Sequence, residues 1–215
     1  MEVRPVEFKD INVLNQENIG KNNILKPVPE KERCFGRSLT IKREKGNVFK
    51  PRKASLFDEA GLVKLHGVSS RGGIRILDPQ LFCIGEISLA KTPHDLTGKS
   101  FRVTYQGEYL MMLYHDNDDI ETTLRTEDSN KIRLRNKKSR FDKKSSLMND
   151  YCQGPVLSRL SKKNFQMVHA TLANSDQEAK ILLEFVRKNT SDFEMYISYP
   201  FSEFAAFATI LPKLL

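Results

Sequence analysis

The sequence predicts a mainly β protein: a closed antiparallel barrel of about 10–12 strands, threaded by a central apolar helix at the C-terminal end. Three observations predict it. Short segments with period-two alternation recur from residue 37 onward. Gly, Asn, Asp and Pro punctuate them at close intervals. The chain then closes on YPFSEFAAFATILPKLL, residues 199–215, which leaves almost no polar side on any turn. A helix that is apolar all round is one surrounded by protein, and a large barrel leaves an interior to fill.

The elements follow in order. Residues 1–36 read as a tail, because NQENIGKNNILKPVPEKER has isolated Val, Leu and Ile and no sustained period. Such a composition cannot offset its own ordering entropy and orders only against a partner. The barrel domain is expected over residues 37–215. SLTIKRE (38–44), GIRIL (73–77), FCIGEISLA (82–90), SFRVTYQ (100–106) and EYLMMLYH (108–115) alternate as strands do. IETTLRT (120–126), KIRLRN (131–136), FQMVHAT (165–171), KILLEFVRK (180–188) and DFEMYIS (192–198) continue the series. Gly72-Gly73, Asp78-Pro79, Gly98, Gly107, Asn117-Asp118 and Gly154-Pro155 mark the turns between them. A helix is expected over 201–211, with Glu203 favoured by the helix dipole and Pro212 as its stop. Phe201, Phe204, Phe207, Ile210 and Leu211 form the plug, and each buried Phe is worth roughly 1.5–3 kcal/mol. This stretch is too short to span a bilayer, which needs ~20 apolar residues.

Charge points to the partner. Lys and Arg number 35 against 27 Asp and Glu, a net charge of +8. Acidic partners fit that balance: anionic lipid, nucleic acid or the acidic face of another protein. Seven of the residues in RLRNKKSRFDKK (133–144) are basic: Arg133, Arg135, Lys137, Lys138, Arg140, Lys143 and Lys144. An exposed hairpin and loop would account for such a run as well as an electrostatic contact does. Phe141 is a single aromatic, too few for a stacking platform, so nucleic acid ranks last. Cys34, Cys83 and Cys152 are scattered, which argues for a reduced, cytoplasmic setting without a disulfide framework. The first 30 residues carry both charges and no signal-peptide pattern. His66, His94, His115 and His169 show no metal spacing and no nucleophile nearby, so no enzyme and no cofactor is expected.

Four blocks in order carry a family resemblance. Ser161, Lys163, Asn164, Phe165 and Gln166 are followed by Phe185 and Arg187, then Phe193 and Met195. Tyr199 and Pro200 then lead into Ala206, Phe207 and Ala208. This arrangement resembles the end of the tubby family domain, and IGEISLAKTPHDLTGKSFRVTYQG (84–107) resembles an upstream strand pair of the same family. The resemblance covers roughly residues 37–215. It implies a β-barrel threaded by its C-terminal helix and a non-enzymatic protein. It further implies phosphoinositide head groups, notably the 4,5-bisphosphate, as ligands and delivery of membrane proteins to cilia as the setting.

The departures shift that expectation. The family clamps lipid phosphates with a Lys and an Arg two residues apart after Ile-Gly, where this chain has Glu86 and Ser88. The family's Asn and further Arg fall near Gly72 and Gln106. A carboxylate repels phosphate where a cation would make a charge-assisted hydrogen bond. The expected function is therefore a tubby-like scaffold that binds an acidic protein surface, tubulin or a ciliary complex, in a cilium or flagellum. The alternative is a membrane adaptor that still reads phosphoinositides through Lys91, Lys99, Arg102 or the 133–144 loop.

Overall fold

The structure is a computed structural model and describes residues 23–28, 37–47, 50–90, 98–116, 119–125, 130–137, 164–170 and 180–215. Its strands are β1 (Arg37–Glu44), β2 (Lys53–Phe57), β3 (Val63–Ser70), β4 (Gly73–Leu77), β5 (Cys83–Ala90) and β6 (Lys99–Tyr105). They continue as β7 (Glu108–Asp116), β8 (Asp119–Arg125), β9 (Lys131–Asn136), β10 (Phe165–His169), β11 (Leu183–Arg187) and β12 (Asp192–Ile197). Each strand pairs antiparallel with its sequence neighbour, and β1 pairs with β12 from Arg37↔Ile197 to Lys42↔Asp192, which closes the barrel. Closure removes the unpaired edges that an open sheet would present.

Side-chain alternation sends one set of residues inward. Ile74 and Ile76, Ile87, Val103, Met111 and Leu113 are at most 9% exposed and share one core with the helix. The helix, α1 (Glu203–Leu214), runs through the lumen. Phe201, Phe204, Phe207, Ile210 and Leu211 are all 0% exposed, so the expected plug residues are the centre of the core. Ser202 caps the helix: its Oγ accepts from the Ala205 N–H at 3.1 Å. The buried Glu203 pairs with Arg37 at 2.7 Å, where the positive end of the helix also favours a carboxylate. Because Arg37 begins β1, the helix enters at the end carrying the β2–β3, β4–β5 and β6–β7 turns. It leaves at the opposite end, beside the β1–β2 hairpin.

Two glycines let the helix sit this close to the wall. A Cβ on Gly67 would fall 2.5 Å from Leu211 Cδ2, and one on Gly85 would fall 2.5 Å from Phe204 Cζ. Aromatic contacts complete the packing: Tyr105 meets Phe204 edge-on at 5.1 Å, and Phe185 stacks on Phe193 at 5.1 Å.

Three sequence expectations need correction. β2 and β3 were not anticipated as strands, because Lys, Ser, His and Gly interrupt their alternation. Pro212 does not stop the helix; it lies inside the last turn, and the helix runs on to Leu214. So near the terminus Pro forfeits a single bond to the carbonyl four residues back, and Leu215 N–H to Leu211 O closes the end at 2.9 Å. Phe82, expected as the first residue of a strand, belongs to the β4–β5 turn. Residues 23–28 also find their ordering partner in the barrel itself. Asn23–Leu25 forms one turn of 3-10 helix, Ile24 and Val28 are at most 4% exposed, and Val28 N–H donates to Phe201 O at 3.1 Å.

Phe207→Asp places an unpaired charge in this core. It is expected to lower stability by several kcal/mol, seen as loss of a cooperative melt. Gly85→Val meets both the Phe204 ring and the Thr104 backbone oxygen, and overpacking of this kind costs about 1–3 kcal/mol. Gly72→Ala, in the β3–β4 turn where nothing lies within 4 Å of an added Cβ, serves as the comparison for chemical denaturation.

Candidate functional site: the basic mouth at the helix exit

The residues that carry the resemblance build the wall around the helix. Asn164 Oδ1 accepts from the Arg187 N–H at 2.9 Å, and Gln166 Nε2 donates to the buried Glu184 at 2.7 Å. Phe165, Phe185 and Phe193 lie on the lumen side and are fully buried.

Two of the positions where the resemblance implies a phosphate clamp, Glu86 and Ser88, lie on the outer face of β5. Glu86 stands opposite Arg75 and Thr104, and Ser88 stands opposite Gly73 and Arg102. Glu86 and Arg75 approach to 4.0 Å, both more than half exposed, so the pair is worth little. Gln106 turns the chain between β6 and β7 with φ 48, and Gly72 occupies the β3–β4 turn.

Of the expected basic contacts, the described ones stand at separate places on the wall. Lys99 is exposed at the start of β6. Arg102 is exposed in mid-strand, its guanidinium 5.6 Å from the Tyr109 ring centre. Arg133 is joined to Arg102 through the register Arg102↔Met112, Met112↔Thr123, Thr123↔Arg133. Three strand spacings separate the two, about 14 Å along the sheet, with Met112 and Thr123 between them. Carboxylates from β7 and β8 stand near two of these cations. Arg133 pairs with Glu121 at 3.5 Å, and Arg135 shares a recess of about 460 Å³ with Asp116, Asp119 and Glu121. Lys137 is half-buried beside β10, its N–H donating to Gln166 O at 2.7 Å. Lys91, Lys138, Arg140, Lys143 and Lys144 lie outside the described residues.

Among the described residues, a denser group of cations lies elsewhere. Where the helix leaves the barrel, a cleft of about 550 Å³ is lined by Arg43, Lys45, Arg52 and Lys213, with Glu44 as the one acidic side chain among its lining residues. Each cation is placed by a different constraint. Arg43 is next to last in β1, lies over the Phe193 ring at 5.9 Å and donates to Thr190 O at 3.2 Å. Its Nε is buried with no hydrogen-bond partner. Arg52 precedes β2 and reaches Leu215 O at 2.5 Å. Lys213 stands over the Phe165 ring at 5.2 Å, in the last helical turn where the dipole favours a cation. Crowding four cations at one open mouth raises the local potential and draws in anionic groups. Sequence reasoning missed this site because Lys213 is more than 150 residues from the other three cations in the chain. The available signal was KREKG (42–46) with KPRK (50–53), a basic pair of segments flanking a turn.

The barrel and its threaded helix invite one comparison. The model of the Tub family matches residues 89–214, more than half of the chain. The chain belongs to the Tub family. No curated protein matches it. The matched span runs from the end of β5 through the helix, so the Tub-family signature includes the Asn164, Gln166 and Phe185 packing described above. Among the described residues of this Tub-family barrel, no helix is long and apolar enough to cross a membrane.

Lys213 also acts on the interior. His115, near the end of β7, meets the Phe101 ring edge-on at 5.8 Å. Burial pushes its imidazole down to about 4, and the Lys213 charge adds to the fall, against a hydrogen bond to the Thr209 backbone. The folded state therefore binds fewer protons than the unfolded chain between about pH 4 and pH 6.5. Stability from neutral His115 is complete above pH 6.5 and is lost as pH falls toward 4. The loss is expected to be roughly 2–3 kcal/mol. Denaturation curves at pH 7 and pH 4.5 check this, and His115→Gln is expected to flatten the difference.

Proposed function

We propose that this Tub-family chain is a non-enzymatic interaction protein whose basic mouth takes an acidic protein surface. On this reading it no longer grips phosphoinositide where the family resemblance implies a clamp. The observation that carries the reading is the cleft itself, with Arg43, Lys45, Arg52 and Lys213 around one opening. Glu86 and Ser88 support it from the other side: an exposed carboxylate beside Arg75 cannot serve as a phosphate ligand. The resemblance suggests a cilium or flagellum as the setting. Polymerised tubulin, an acidic surface, has the right sign for a chain of net charge +8.

A second reading rests on one observation. Arg102 is exposed directly opposite Ser88, next to the place of the missing clamp. A phosphoinositide adaptor would use Arg102 with Lys99 from this shifted position.

Two measurements separate the readings. Co-sedimentation with microtubules is expected to be salt-sensitive and to weaken about tenfold or more in Lys45→Glu/Arg52→Glu. Arg102→Glu is expected to leave it unchanged. Flotation with vesicles that is selective for the 4,5-bisphosphate lipid and abolished by Arg102→Glu would replace the scaffold reading with the adaptor. Failure to sediment removes tubulin as the partner.

A further inference from the structure

The opposite end of the barrel, where the helix enters, carries a surface of different chemistry. The β2–β3 and β4–β5 turns are built alike. Asp58 Oδ1 accepts from the Leu62 N–H at 2.9 Å, and Asp78 Oδ1 accepts from the Phe82 N–H at 2.8 Å. Gly61 N–H donates to Asp58 O at 3.0 Å, and Leu81 N–H donates to Asp78 O at 3.0 Å. Gly61 and Leu81 therefore hold the same place in twin turns, and both have left-handed backbone, φ 77 and φ 70. That conformation suits Gly and disfavours a branched apolar side chain.

The first turn has Gly at this place and the second has Leu. The Leu81 side chain does not repay its backbone by burial, since it is 60% exposed. Its neighbour Phe82 is 71% exposed, and Leu62 on the twin turn is 65% exposed. β3 and β4 pair directly, so the two tips stand side by side, two strand spacings or about 10 Å apart. Three large apolar groups thus share one rim, with a strained backbone retained at a position that does nothing for the core.

Local charge selects what can cover them. Glu59, Asp78 and Glu108 lie on these turns and the next one, and Asp58 is joined by Lys64 at 3.9 Å. Arg37 at this end is occupied by Glu203. Arg125 and Lys131 belong to the β8–β9 side of the rim, beyond β7. Beside the tips, among the described residues, Asp58, Glu59, Asp78 and Glu108 thus stand against Lys64, on a protein of net charge +8. An anionic membrane or a nucleic acid would be repelled there. We propose that the Leu62, Leu81 and Phe82 tips dock an amphipathic, basic segment of a partner protein, its apolar side on the three tips and its cations on Glu59, Asp78 and Glu108. This site is separate from the basic mouth and does not depend on it.

The test uses the full chain and a fluorescent lysine–leucine amphipathic helical peptide as probe, with a glutamate–leucine peptide of the same pattern as control. Anisotropy is expected to report binding of the first and not the second. Leu62→Ser/Leu81→Gly/Phe82→Ser is expected to weaken binding at least about tenfold. Leu81→Gly alone is expected to weaken binding while the melting temperature holds or rises, a split that a packing role for Leu81 would not produce. Equal binding by wild type and triple variant would overturn the proposal. Tip-dependent partition into phosphatidylserine vesicles would assign the surface to a membrane and overturn it. So would a concentration-dependent dimer in sedimentation that the triple variant abolishes, which would make a second copy the occupant.

Discussion

Everything in this molecule depends on the contact between a helix without a polar side and a sheet that surrounds it. Phe204, Phe207, Ile210 and Leu211 have no exposed surface, and the strands have no lumen-facing core without them. Neither part satisfies the hydrophobic effect alone. The fit is close enough that the wall yields side chains to the rod: Gly67 and Gly85 stand where Leu211 and Phe204 press outward. Only the helix start takes a carboxylate, Glu203, and it is held by Arg37 and the dipole together.

This arrangement frees the two rims from structural duty. Strand registers and the plug hold the barrel, so turn residues at either end can carry charge or apolar surface. The exit rim uses Arg43, Lys45, Arg52 and Lys213; the entry rim uses Leu62, Leu81 and Phe82 among carboxylates. The outer wall between them is largely self-compensated, with Arg75 near Glu86 and Arg133 near Glu121. A protein with this distribution engages partners end-on more readily than side-on, and the two ends select opposite charges.

How far the sequence spoke depends on where the physics was local. β4 and β9 were legible at their full bounds because GIRIL and KIRLRN alternate cleanly. The helix was legible because apolar side chains on every face admit one environment. β3 was not, since Gly67 is there to admit Leu211, a reason that exists only once the helix is in place. Pro212 misled because a helix-breaking residue costs little in a last turn that has few bonds left to lose. The basic mouth was illegible for the same kind of reason. Lys213 joins Arg43 and Arg52 only through barrel closure, whereas the run at 133–144 was conspicuous in the sequence, and within it Arg133 pairs with Glu121.

The pairing of β1 with β12 has a consequence for how the chain is made. Arg37 meets Ile197, so the first strand waits for nearly the whole polypeptide before its second edge is covered. The rod that fills the lumen is synthesised later still. During translation the growing sheet is an open, curling ribbon with apolar residues on its concave side and a live edge on β1. Such a ribbon gains little by folding early and has much to lose by meeting another copy. Long-range closure of this kind also makes the final step slow compared with local hairpin formation. The interval before the last helix joins the lumen is therefore the one in which the sheet has most apolar surface to hide.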